Sequence, residues 1–121
     1  MLKSYFVYIL TNWERSVFYI GVTGNLPRRI LEHKLKINRG FTCEYNCSKL
    51  VYYAETGDVC VALEREKQLK HWHRQWKINL INQENQDWRD LSLDFLNPDL
   101  WLQDPETSSG GHFSYSVFHI F

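Results

Sequence analysis

A carboxylate, two phenols, a guanidinium and an imidazole stand in this chain at spacings that suit work on an anion. The carboxylate is Glu66. At about 100° per residue, Val59, Ala62, Leu63, Glu66, Leu69 and His73 share one side of a helix over Val59–Trp72, while Glu64, Lys67, Gln68 and His71 project from the other. An acid within an apolar stripe must pair, protonate or bind a metal once it is desolvated. Lys70, four residues on, is the local candidate for pairing. Arg29 and His33 are also four apart, side by side along one helix edge. The phenols are Tyr8 and Tyr19, each inside a β-branched, aromatic run. His71 and His73 are two apart on a helix, point in different directions and form no metal pair.

The elements that must position these groups are legible from local chemistry. Ser4–Leu10 and Val17–Val22 predict an antiparallel hairpin with a loop of about five or six residues. Thr23-Gly24-Asn25 predicts a turn, with Asn25 as N-cap and Pro27 in the first turn of a helix running to about Ile37. Leu26, Ile30 and Ile37 form its core stripe. Arg39–Ser48 reads as a loop, Lys49–Glu55 as a third strand, and Asp58 as the cap of the Glu66 helix. His73–Asn85 predicts a further helix with Trp76 and Leu80 inward and Lys77 outward. Trp88–Leu91 is expected to pack back on the body.

The 121 residues, 44% hydrophobic and 16% aromatic, suit one compact domain. No apolar run approaches the roughly 18 residues of a membrane span. Tyr5–Leu10 is short and lacks a small-residue cleavage site, so it reads as a strand rather than a signal peptide. Three cysteines, Cys43, Cys47 and Cys60, do not make a secreted disulfide framework and predict thiols in a reducing cytoplasm. Cys43 and Cys47 alone offer zinc only two ligands. The zero formal charge hides a split. Residues 1–80 hold 13 Lys and Arg against 7 Asp and Glu, a surplus of six, and residues 81–121 hold one against seven. A basic body suits a polyanion partner, and the acidic tail suits either a solvated segment or a competitor for that face. The organisation expected is a domain over 1–92 and an acidic, partly disordered tail over 93–121.

Tyr19-Ile20-Gly21, preceded by Phe6-Val7-Tyr8, followed by Arg29, His33 and then Glu66, resembles the GIY-YIG nuclease family. The runs YIGVTGNLPRRILEHK (Tyr19–Lys34) and ALEREKQLK (Ala62–Lys70) match in order and spacing, and Asn85–Leu91 looks like the closing stretch of the family's small stand-alone bacterial members. The likeness covers about residues 3–92. Phe6 stands in place of the first motif's glycine, Val22 where some relatives carry lysine, and Gln86 in place of a proline. The resemblance implies an α/β (α+β) fold, a three-stranded antiparallel sheet flanked by helices, and hydrolysis with a single divalent metal, Mg²⁺ or Mn²⁺.

Phosphodiester hydrolysis needs an activated water, charge neutralisation and help for the leaving oxygen. Glu66 would hold the metal, Arg29 would fork onto phosphate oxygens, and Tyr8 and Tyr19 would order the water. One phenol would accept its proton if nearby cations depress its pKa, with His33 as the other candidate. Arg28, Lys34, Lys49 and Lys70 would meet the nucleic acid, most readily DNA, with Asn79 in support. The reading expected is a structure- or nick-directed DNA endonuclease of repair or recombination, cytoplasmic, with room for a protein partner that supplies specificity. The alternative is a catalytically weak nucleic-acid-binding module of the same fold. Tyrosines on strands are ordinarily packing residues, and Arg29 beside Arg28 would ordinarily be a solvated helix cation.

Overall fold

A computed structural model describes residues 3–36, 40 and 44–94. Among these, β1 (Tyr5–Thr11), β2 (Phe18–Thr23), α1 (Leu26–Lys34), β3 (Lys49–Thr56), α2 (Val59–His71) and α3 (Arg74–Glu84) follow in order, closed by a 3₁₀ turn at Leu91–Asp94. The sheet has the order β2-β1-β3, antiparallel throughout. The α/β architecture is the one expected.

Alternation along the strands produces two cores. Val7, Ile9, Phe18, Ile20 and Val22 meet Ala62 and Leu69 of α2, Ile81 of α3 and Trp88. Tyr8, Leu10 and Tyr19 on the opposite face meet Leu26 and Ile30 of α1 with Cys47 and Leu50. Asn12 shapes the β1–β2 turn by accepting hydrogen bonds from the Ser16 and Val17 amides. Asn25 and Asp58 cap α1 and α2 as expected, each accepting a backbone N–H. Trp88 is buried, as expected, against Phe18.

Two expectations fail. α1 ends at Lys34 rather than near Ile37, and Lys36 takes a left-handed φ of 53°, a conformation a helix cannot continue through; Ile37 lies outside the described residues. The expected facing of Trp76 and Lys77 in α3 is also exchanged, for Trp76 is 53% exposed and Lys77 only 4%, while Leu80 packs partly buried against the core as expected. The cause is the break between α2 and α3. Trp72 and His73 adopt extended ψ values of 147° and 150°, so His73 becomes the exposed N-cap residue of α3 instead of the last member of the Glu66 stripe. The new helix turns Ile81 inward, and Lys77, one turn earlier, goes with it.

Gly21 sits directly across from Tyr8. A Cβ there would lie 2.6 Å from the Tyr8 Oη, 2.7 Å from its Cζ and 3.1 Å from Tyr19 Cε1. Both rings are fully buried and have nowhere to retreat. Gly21→Ala is expected to destabilise the fold by about 1–3 kcal/mol through overpacking. Gly57→Ala is the control, since its Cβ would meet only the Lys3 carbonyl at 3.7 Å. Thermal unfolding of the two variants checks this; an unchanged Tm for Gly21→Ala would refute it.

Candidate active site

Tyr8, Tyr19, Arg29 and His33 form one buried cluster between the sheet and α1. Strand pairing sets Tyr8 and Tyr19 on the same face, and their ring centroids are 6.2 Å apart. The helical spacing of Arg29 and His33 turns both onto that face, each about 5–6% exposed. The Tyr8 hydroxyl is 3.2 Å from His33 Nε2, and the His33 ring lies 5.3 Å from that of Tyr19. Arg29 is within electrostatic reach of both phenols and donates from Nη1 to Glu32 Oε1 at 3.0 Å.

Burial sorts the protonation states. His33 is lowered to about 3, first by desolvation and then by the Arg29 charge, so it is neutral near pH 7. One ring nitrogen is then an acceptor; in the Nδ1–H tautomer, Nε2 accepts from the Tyr8 hydroxyl. Tyr19 is pushed up, first by burial and then by Tyr8, against the opposing pull of Arg29. For Tyr19 this removes the depressed pKa that a proton acceptor would need: the cation is present, but desolvation outweighs it. Burial works against the charge of Arg29 as well, yet Tyr8, Glu32 and Tyr19 together raise it above its ordinary value. The cluster thus holds one fixed positive charge, a neutral imidazole and a protonated phenol at Tyr19.

Glu66 is 4% exposed on α2, as the periodicity predicts, and Glu64 is exposed. Its neighbours on the stripe, Ala62 and Leu69, belong to the core with Val7, Ile9 and Trp88, so Glu66 stems from the helix that covers the sheet face opposite Tyr8 and Tyr19. Lys70 Nζ lies 3.1 Å from its Oε2, both side chains almost fully covered. Burial outweighs this pairing at Lys70 and lowers its pKa.

The other sequence-named cations all have internal contacts. Arg28 Nε is 3.7 Å from Glu32. Lys34 donates to Asp90 at 2.6 Å and to the Ser48 carbonyl at 2.8 Å. Lys49 is 6% exposed, its ammonium 4.8 Å over the Trp13 ring. Asn79 is exposed and accepts from Gln75. Cys47 is buried, and that burial pushes its thiol up to about 11; Cys43 lies outside the described residues.

Asp90 received no role from the sequence, yet it joins three parts of the molecule. It accepts from the Leu50 amide, the Ser92 amide and hydroxyl, and Lys34 of α1. The available signal was the acid two residues before Ser92, an Asx-turn pattern opening the last short turn. Asn85 was passed over likewise; its side chain donates to the Val51 and Arg89 carbonyls.

The His33 shift carries a pH dependence. Above about 6.5 the ring is neutral in both folded and unfolded chains. Below that the unfolded chain takes up a proton that the folded chain refuses until about pH 3, so stability is lost as pH falls through this window. Asp90, whose carboxyl is lowered against the opposing effect of burial by Lys34 and Ser92, acts only below the ordinary carboxylate range. Between pH 6.5 and 4 the wild type is therefore expected to lose up to a few kcal/mol, and His33→Gln to show a flatter profile. Urea unfolding across that range measures it; equal slopes would refute the assignment.

A family model described as the GIY-YIG catalytic domain matches residues 4–79, more than half of the chain. No curated protein and no solved structure gives a significant match. The matched span holds Tyr8, Tyr19, Arg29, His33 and Glu66 and stops short of Asp90. With the sheet order, the paired tyrosines and the helix-borne arginine and glutamate already in place, the chain belongs to the GIY-YIG nuclease superfamily.

Proposed function

We propose that the protein is a divalent-metal-dependent endonuclease that hydrolyses DNA phosphodiester bonds, directed by nicks or strand structure in repair or recombination. The observation that carries this reading is the joint burial of Tyr8, Tyr19, Arg29 and His33, four polar side chains packed together where an ordinary core would be apolar.

Arg29 is the phosphate-binding group, kept charged by its neighbours and offering a planar fork. A phosphate on Arg29 offsets the charge that helps to hold His33 neutral, so substrate binding itself raises the basicity of His33. Tyr8, bonded to His33 Nε2, is the hydroxyl through which a proton from the attacking water passes to the imidazole. Tyr19, protonated, donates to the same water or to the phosphate and does not serve as the base.

Glu66 fits a magnesium or manganese ion by its chemistry: one carboxylate is enough for an ion that keeps most of its water. Among the described residues no three His, Cys, Asp or Glu side chains are grouped to hold a metal, so the proposed anchor is the single carboxylate Glu66 with water completing the shell. A bound divalent ion would neutralise charge on the phosphate and lower the pKa of a coordinated water. Lys70 already occupies the cation's side of Glu66 and must turn away for the ion to bind.

The weak-module alternative rests on that same Lys70 contact, because a permanent Glu66–Lys70 pair would leave no metal site. Relaxation of supercoiled plasmid in Mg²⁺, in Mn²⁺ and in EDTA separates the two readings. A cytoplasmic setting accords with the free thiols of Cys47 and Cys60, and a protein partner would supply target choice.

Glu66→Gln is expected to lower cleavage by on the order of a hundredfold or more, with Glu64→Gln as the silent control. Because Lys70 would lose its partner in the interior, Glu66→Gln should also be less stable than wild type. Glu66→Gln combined with Lys70→Met should recover stability without recovering cleavage. Cleavage assays beside thermal unfolding test both halves. Full activity of a folded Glu66→Gln protein would refute the metal role.

A further inference from the structure

The corner between α2 and α3 carries features that the hydrolytic site does not use. The extended backbone at Trp72 and His73 brings Trp72 and Trp76 together, their rings 5.9 Å apart and edge to face at 83°. His73 stacks its edge on Trp76 at 5.3 Å. Trp76 remains 53% exposed, a large apolar face in water on a helix whose phase had room to bury it. Beside it runs a groove of about 240 Å³ lined by Trp72, Trp76, Asn79, Leu80 and Gln83. That volume is below the range of drug-sized ligand pockets and suits one flat ring. Asn79 and Gln83 place amides, able to donate and accept, along its wall.

The Trp72 end of the groove is cationic, while the acids Glu84 and Asp87 follow its Gln83 end. Arg65 lies 5.0 Å over the Trp72 ring at one border of the groove. Lys67 and Arg74 are exposed on the adjoining turns, and the sole acid between residues 65 and 77 is Glu66, already matched by Lys70. A docking face for an apolar protein segment would be rimmed by further apolar surface. This one pairs an aromatic platform with fixed positive charge, the combination that binds unpaired nucleic acid through base stacking and backbone attraction.

We propose that the Trp72–Trp76 groove stacks an unpaired nucleobase of the substrate strand. This rests on the nucleic-acid reading above and narrows it: the groove selects DNA with a single-stranded segment over continuous duplex. A base paired within a duplex has no free face to offer, and the platform gains nothing from it.

The test uses the full chain in EDTA, so that binding is read without cleavage. Fluorescence anisotropy measures affinity for a single-stranded oligonucleotide, for the same strand built of abasic sites, and for a blunt duplex. Trp76→Ala is expected to weaken single-strand binding about tenfold, as loss of one base–aromatic stack does. Blunt-duplex binding should stay within about twofold, and Trp76→Phe should keep most of the single-strand affinity. The abasic strand should bind the wild type as weakly as the normal strand binds Trp76→Ala. Single-strand binding unchanged by Trp76→Ala overturns the groove alone and leaves the surface to a protein partner. An equal loss on blunt duplex also overturns it, because stacking is then not what Trp76 supplies. A wild type that binds none of the three nucleic acids overturns the groove and the nuclease reading together.

Discussion

The close approach of the Tyr8 ring to the backbone of Gly21 is the constraint on which the site depends. Strand β1 is central, and Tyr8 pairs with Gly21 on one side and Tyr53 on the other. Only a residue without a Cβ lets the phenol cross that strand and put its hydroxyl against His33. A slip of one residue in the β1–β2 register would carry Tyr8 to the opposite face and leave His33 facing an apolar side chain. Register, helix docking and the protonation state of the imidazole are therefore coupled through one missing methyl group. The first motif's glycine, replaced here by Phe6, has no such duty: Phe6 pairs with Thr23 and Glu55 and only flanks the α1-side core.

Asp90 plays the corresponding part for the far end of the chain. By accepting from β3, from the last turn and from α1, it fixes α1 against the sheet on the side opposite Asn25. Such a carboxylate is more than a surface ion pair, since it is 9% exposed and its acceptor sites are occupied by both backbone and ammonium donors. Lys34 is thereby committed to holding the fold, although it sits one residue beyond His33.

Local chemistry explains which parts were legible in the sequence. Strand alternation, Asn25 ahead of Pro27 and Asp58 ahead of an apolar stripe act within a few residues of themselves, and the corresponding elements form where expected. The placement of Glu66 followed from helix period alone, and its pairing with Lys70 from i,i+4 geometry. The boundary at Trp72 and His73 was legible, but the phase beyond it was not, because the break uses neither proline nor glycine: two ordinary residues, Trp72 and His73, turn extended, and the side chains after them are rotated. The site's electrostatics were illegible for another reason. The Tyr8–His33 contact joins residues 25 apart, and only packing reveals that burial outweighs Arg29 at Tyr19. The expectations over Arg39, Cys43 and the tail beyond Asp94 fall outside the described residues.

The charges of the site are all engaged before any substrate arrives. Glu32 holds Arg28 and Arg29, Glu66 holds Lys70, and Asp90 holds Lys34. Under the proposed function, a phosphate on Arg29 would compete with Glu32, and a divalent ion on Glu66 would compete with Lys70. Each step exchanges one ion pair for another, so net affinity is the difference between two large terms. The exchange has a direction, however. Lys70 is disfavoured as a cation where it sits, chiefly by desolvation, whereas a doubly charged ion on the same carboxylate brings its own waters with it. The resting pairs thus keep buried charges compensated in the free protein.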